Sequence, residues 1–249
     1  MLVIDSHTHL GGSLVTESVY TEAELLAAME KWSVAISLVI PLPHGTPSPE
    51  AMHDRIYGLT QEKPDRFFGV ADLNPMLSEE AYWKEAQRCF KDLGFVALKL
   101  NPRLHPCNPL SRFATKVFEV GKHFKVPVIV HTGLGSPFSL PSLMITRARE
   151  FPDVSIILAH AGATYYTSEA IVAAEICDNI WLEPSWCGSD RVKEAIRKLG
   201  SARVMMGSDV PINLPVELTK YRTLGLTDGQ LEDCLARTAA HVFRLPIKV

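Results

Sequence analysis

LVIDSHTHLGG, residues 2–12, begins with the apolar run Leu2-Val3-Ile4, carries two imidazoles at His7 and His9, and ends in a pair of glycines. A doubly wound nucleotide-binding sheet would follow its first strand with a glycine fingerprint whose backbone amides meet a phosphate. Here the same position offers imidazole, which favours a barrel over the open sheet. Residues two apart on a strand point to one face, so Asp5, His7 and His9 are expected to project inward together from the carboxyl end of the first strand.

Moving outward from this stretch, seven further apolar or β-branched runs follow: AISLVI from Ala35, FFGVA from Phe67, FVALKL from Phe95, PVIVH from Pro127, VSIILAH from Val154, IWLE from Ile180 and RVMMG from Arg203. Their spacing, about 30 residues, is what a strand, a crossover helix and a turn need in a parallel βαβ repeat. Between them lie amphipathic patterns. Residues 22–32 put Leu25, Leu26 and Met29 on one face, and residues 79–93 do so with Tyr82, Ala86, Phe90 and Leu93. Thr21 with Glu24 forms a full capping box and Ser78 a partial one. The expected fold is an α/β, (β/α)8 TIM barrel, a single domain over residues 1–249, with residues 228–244 as a C-terminal closing helix.

The composition, 47% hydrophobic and 21% charged, is that of an ordinary globular chain. A formal charge of -3 supplies no basic field, so no nucleic acid and no anionic membrane surface is expected as a partner. The apolar run at 34–40 is far shorter than the roughly 20 residues of a membrane helix and reads as a buried strand. Five scattered cysteines without a CxxC pair, and an N-terminus without a basic leader, point to a reducing, cytoplasmic setting. A small-molecule substrate is the expected partner, and a homo-oligomer is compatible with the sequence.

The polar residues that end these runs carry the chemistry. His131 closes VPVIVH, His160 closes VSIILAH and Asp209 follows RVMMGS. An isolated HxH, or a lone histidine at a strand end, is commonly a hydrogen-bonded rim residue. Repetition at several strand ends changes the weight, because in a barrel all carboxyl ends converge on the face where active sites lie.

DSHTHLGG at 5–12, VHTG at 130–133, AHAG at 159–162, GSDVP at 207–211 and the terminal RTAAHVFRL at 237–245 together resemble the amidohydrolase superfamily. The nearest branch is the amidohydrolase-related group that includes aminocarboxymuconate semialdehyde decarboxylase and several lactone or aromatic-acid enzymes. The resemblance implies one divalent metal ion held by His7, His9, His131 and Asp209, with zinc favoured and manganese or iron(II) also suited to such ligands. It implies His160 beside the metal as a catalytic residue, and Asp209 as both ligand and proton carrier. Lys99 matches the lysine that is carboxylated in two-metal relatives. In the one-metal branch it is instead an amine that pairs with Asp5, Asp209 or a substrate carboxylate, and that reading is adopted.

A divalent ion lowers the pKa of bound water toward 7 and polarises a carbonyl. Hydrolysis of an amide, ester or lactone is therefore the first expectation, non-oxidative decarboxylation of an unsaturated or aromatic acid the second, and ligand binding without turnover the third. Asp5 is expected to accept a hydrogen bond from a ligand imidazole. Substrate contacts are expected from Lys99, from Asn101 and Arg103 in the loop after the fourth run, and from Trp186 in the loop after the seventh. Arg103 is read as a carboxylate clamp or a solvated charge, and Trp186 as pocket wall or packing. His44 is left without a role.

Overall fold

The structure, a computed structural model, describes residues 1–13, 17–43 and 48–247. His44 lies outside the described residues. The strands are β1 (Ile4–Gly12), β2 (Val19–Tyr20), β3 (Ile36–Pro43), β4 (Phe67–Asp72), β5 (Ala97–Leu100), β6 (Val128–His131), β7 (Ile156–Ala159) and β8 (Ile180–Glu183). They form one eight-stranded sheet in the order β2-β1-β3-β4-β5-β6-β7-β8. β1 and β3 to β8 pair in parallel, while β2 is a short antiparallel addition through Gly11 and Tyr20. Helices α1 (Glu22–Trp32), α2 (Pro49–Glu62), α3 (Glu79–Gln87), α4 (Arg112–Phe124), α5 (Leu143–Glu150), α6 (Thr167–Ile176), α7 (Ser189–Leu199), α8 (Leu214–Thr223), α9 (Asp228–Glu232) and α10 (Thr238–Val242) make up the helical complement. α1 starts on the Thr21–Glu24 capping box, and at α3 the Ser78 side chain accepts from Ala81 N. Among the described residues no helix is long and apolar enough to cross a membrane.

Seven of the eight apolar runs become strands; the eighth does not. Segment 204–209 joins its neighbours only by single bridges, Val204 to Leu182 of β8 and Asp209 to Thr8 of β1. Backbone hydrogen bonds from Met205 N to Leu182 O (2.9 Å) and from Ser6 N to Met206 O (3.0 Å) tie it to both. A regular ladder is interrupted because Asp209 has φ +66° and because Ser208 N also donates to the Asp5 carboxylate at 2.8 Å. The segment 228–244 is helical without a break from Asp228 through Val242, with a π-helical turn, Asp233–Arg237, between α9 and α10.

Strand alternation sorts the core into two faces. Leu98, Val128, Val130, Ile156 and Leu158 pack with helix residues such as Leu25, Tyr82 and Val117. Ala97, Ile129 and Ile157 face the other way, into a second cluster with Ile4, Ile36, Leu38 and Met205, joined by Ala239, Val242, Phe243 and Leu245 from the end of the chain. Continuing by twos, Lys99 follows Ala97 and His131 follows Ile129, so both polar residues stand on the interior face beyond this apolar floor. β1 reaches the same result by a different route. Ile4 faces the interior cluster and Leu10 the outer one, a parity that simple alternation from Ile4 would reverse. A register shift between Asp5 and Thr8 supplies the extra residue and turns His7 and His9 inward. Asp5, before the shift, therefore does not share the face of His7 and His9, contrary to the expectation from alternation.

Candidate metal centre

Four buried imidazoles and one partly exposed carboxylate meet at the carboxyl ends of the strands. His7 Nε2 lies 3.1 Å from His9 Nε2, and Asp209 Oδ1 lies 3.5, 3.6 and 3.8 Å from the Nε2 atoms of His7, His9 and His160. The His131 ring is 4.8 Å from that of His160, centroid to centroid, and its buried Nε2 has no hydrogen-bond partner among the described residues. Donor atoms held about 2.0–2.2 Å from one ion in a tetrahedral array stand roughly 3.3–3.6 Å from each other. Asp209 Oδ1 stands at that spacing from His7 and His9, whose Nε2 atoms are somewhat closer together at 3.1 Å, and an unpaired nitrogen on His131 adds a further donor. The side chains thus fit a divalent cation.

Electrostatics prepares these groups for such a role. Burial, and next the nearby Lys99 ammonium, push His7 and His9 well below the usual imidazole range; burial likewise lowers His131 and His160, with neighbouring imidazoles adding to it. They are neutral at pH 7, the state a ligand needs. Burial works against ionisation of Asp209, but the neighbouring imidazoles of His7 and His9, the Lys99 ammonium and the indole N–H of Trp186 together hold its carboxyl below the ordinary value.

The partner of His7 is Glu183. His7 Nδ1–H donates to Glu183 Oε2 at 2.7 Å, which leaves Nε2 as a lone pair facing the cluster. Ser185 Oγ donates to the same carboxylate at 3.1 Å and lies 2.8 Å from His160 Nδ1. That relay puts the His160 proton on Nδ1 and leaves its Nε2 lone pair facing Asp209. Glu183 is fully buried, and a Cβ at Gly207 would come within 2.9 Å of its side chain, so only glycine leaves it room. Glu183 has no place in the cluster expected from sequence. The signal missed is an acid as the last residue of the strand IWLE, the same position as His131 on its own strand. Asp5, expected to hold a ligand imidazole, does not: its carboxylate accepts from Ser208 N (2.8 Å), Ser208 Oγ (2.6 Å) and His7 N (3.4 Å), tying segment 204–209 to β1.

A cavity of about 340 Å³ opens onto the cluster, lined on its polar side by His9, Asn101, Arg103, His131, His160 and Asp209. Its apolar wall includes Leu42, Leu104, Leu134, Val210 and Ile212. The Arg103 guanidinium has no hydrogen bond or ion pair among the described residues, and its side chain passes close to Gly135. Asn101 Oδ1 accepts from the backbone of Arg103 and Leu104, both at 3.2 Å, and so shapes the loop that carries Arg103. Trp186 lines the cavity and donates its indole N–H to Asp209 Oδ2 at 2.7 Å. Lys99 does not line the cavity; it is fully buried, with Nζ 2.9 Å from His7 Nε2, and burial lowers its pKa to about 8. His160, Trp186 and Asp209 all have left-handed backbone, φ +65°, +63° and +66°. Each such non-glycine residue costs on the order of 1–3 kcal/mol, a cost that folded proteins concentrate at working sites.

An α/β chain with its polar residues gathered at the carboxyl ends of parallel strands belongs to the barrel enzymes that work at that face. The sequence profile of the family described as amidohydrolase matches residues 4–245, and the chain belongs to that family. Solved structures with the same fold include a TIM-barrel protein from Bordetella bronchiseptica, at 16% identity and TM-score 0.80 over 98% of this chain and 99% of that one. A 5-carboxyvanillate decarboxylase from Sphingomonas paucimobilis matches at 16% identity and TM-score 0.77, again over 98% and 99%. A 5-carboxyvanillate decarboxylase from Novosphingobium aromaticivorans, in complex with manganese and 4-hydroxy-3-methoxy-5-nitrobenzoic acid, matches at 14% identity and TM-score 0.77 over 98% and 96%.

Proposed function

We propose that this protein is a metal-dependent, non-oxidative decarboxylase of a small unsaturated or aromatic carboxylic acid, a single catalytic domain closed at its far end by the C-terminal helical segment. The reading that ranked first on sequence, hydrolysis, asks Asp209 to take a proton from water and pass it to a leaving group. The observation that carries the proposal is the Trp186 indole on Asp209 Oδ2 at 2.7 Å, which occupies the oxygen that would do so and makes it a weaker base. The decarboxylases with the same fold, one with bound manganese, support the same choice.

In this reading His7, His9, His131 and Asp209 hold one divalent ion, with manganese or zinc the leading candidates. When bound, the ion supplies a Lewis-acid centre that draws electron density from substrate oxygens. Arg103 pairs with a substrate carboxylate or phenolate, its two N–H groups giving orientation as well as charge. The apolar wall of the cavity receives the flat carbon skeleton. As the carbon–carbon bond breaks, CO2 leaves and its bonding pair remains on carbon, which needs a proton. His160 Nε2 takes that proton from substrate or solvent and hands it to carbon, while Ser185 keeps the ring in place. Lys99 stays an uncarboxylated amine beneath His7. Manganese- or zinc-loaded protein, incubated with hydroxybenzoates, unsaturated dicarboxylic acids, esters and lactones, is expected to release CO2 from acids. New acid from a lactone or ester without CO2 would overturn the proposal in favour of hydrolysis.

A further inference from the structure

Away from the ligand cluster, the inner side of α8 carries a charged network unusually deep for a surface helix. Glu217 and Lys220 are buried, as is Asn213 at the start of the helix. Glu217 Oε1 accepts from Trp186 N and from Asn213 Nδ2, both at 2.9 Å, while Oε2 pairs with Lys220 Nζ at 2.6 Å. Lys220 Nζ also donates to Cys187 O at 2.8 Å, and Asn213 Nδ2 donates to Ser208 O at 2.9 Å. Every contact outside α8 and its lead-in falls on one of two loops. One carries Trp186 and the other Asp209.

Burying a carboxylate and an ammonium is costly, and a packed apolar pair would generally serve stability as well. The contacts give a different reason for the network. Trp186 is held in left-handed backbone, a conformation that a bulky residue leaves unless the surroundings fix it. Glu217 grips the Trp186 N–H and Lys220 grips the next carbonyl, so the strained turn is pinned at both ends. In that turn the indole reaches Asp209 Oδ2, leaving Oδ1 to face His7, His9 and His160.

We propose that Glu217 is a positioning residue that acts through Trp186 to orient the Asp209 carboxylate, fixing one oxygen toward the cation site and the other toward the indole. This rests on the metal reading of the cluster, but its first test does not. With nitrogen-15 tryptophan in metal-free protein, Trp186→Phe identifies the Trp186 indole signal among the four tryptophans. That signal is expected downfield and slow to exchange, as for an N–H bonded to a carboxylate. Glu217→Met should return it to the position of a water-bonded indole, whereas Glu217→Gln, which keeps an acceptor oxygen for Trp186 N–H, should largely preserve it. If Glu217→Met does not fold, Lys220→Met releases the same turn from its other end and carries the same expectation. In a parallel titration with Mn2+, Glu217→Met and Trp186→Phe should each weaken binding about tenfold, and the double variant no further than either. An unmoved indole signal, or additive losses in the double variant, would overturn the proposal. Failure of the wild type to bind Mn2+ would overturn the metal reading alone, because the indole measurement stands without it.

Discussion

At the scale of single residues, His7 and His160 look alike in sequence, each an imidazole at the end of an apolar run. Their surroundings separate them. His7 is fully buried, donates Nδ1–H to the buried Glu183 and has its Nε2 within 3.1 Å of His9 Nε2 and 2.9 Å of Lys99 Nζ. His160 is tied instead to the neutral Ser185 and lines the cavity. His7→Asn is therefore expected to lose metal and activity together. His160→Asn should keep metal near the wild-type level while kcat falls roughly 100-fold or more. Metal analysis beside steady-state kinetics distinguishes them, and equal metal loss in both variants would make His160 a ligand. The Glu183 carboxylate could not be assigned to His7 from sequence, because the two residues are 176 positions apart and meet only across the closed sheet.

At the scale of elements, α2 and α3 are joined to β4 by a buried polar contact remote from the cavity. His53 Nδ1 bonds Glu85 Oε1 at 2.7 Å, His53 Nε2 accepts from Asp72 N at 3.1 Å, and Arg88 grips both Glu85 oxygens at 2.7 and 2.8 Å. Burial alone would raise the Glu85 carboxyl, but the hydrogen bonds from His53 and Arg88 outweigh it and hold its pKa at about 2, against an ordinary 4.5. A carboxylate depressed on folding adds stability above its unfolded pKa and loses that contribution as pH falls through the folded value. Glu85→Gln should thus be less stable than wild type at pH 7, by roughly 1–3 kcal/mol. The gap should narrow as pH falls from about 4.5 to about 2. Denaturant melts of both proteins across that range measure it, and a gap constant with pH would show that Glu85 acts through packing rather than charge.

For the whole molecule, the four residues proposed to hold the ion come from β1, β6 and the segment 204–209, so a bound ion would link parts of the chain that are far apart in sequence. An ion that binds only the folded state stabilises by about 2.7 kcal/mol at a hundredfold excess over its Kd. At roughly 2–4 °C per kcal/mol for a chain of this size, Tm should rise by about 5–10 °C with Mn2+ or Zn2+ and fall back with chelator. A calorimetric scan reads this without any substrate. An unchanged Tm at saturating metal would argue against a folded-state site.

The sequence by itself determined the alternation of strands and helices, the amidohydrolase family and the polar strand ends His7, His9, His131, His160 and Asp209. These are local properties: strand periodicity, capping residues and short motifs act within a few positions and survive reading one residue at a time. The tertiary structure alone decided which face β1 presents, through the register shift between Asp5 and Thr8, and it reduced the last apolar run to two bridges. It also decided that Glu183 rather than Asp5 holds His7, that Lys99 lies beneath the cavity rather than in it, and that Trp186 reaches Asp209. Each of these is a contact between segments brought together by ring closure, where the partner is selected by distance and backbone conformation, and neither is encoded in the spacing of residues along the chain.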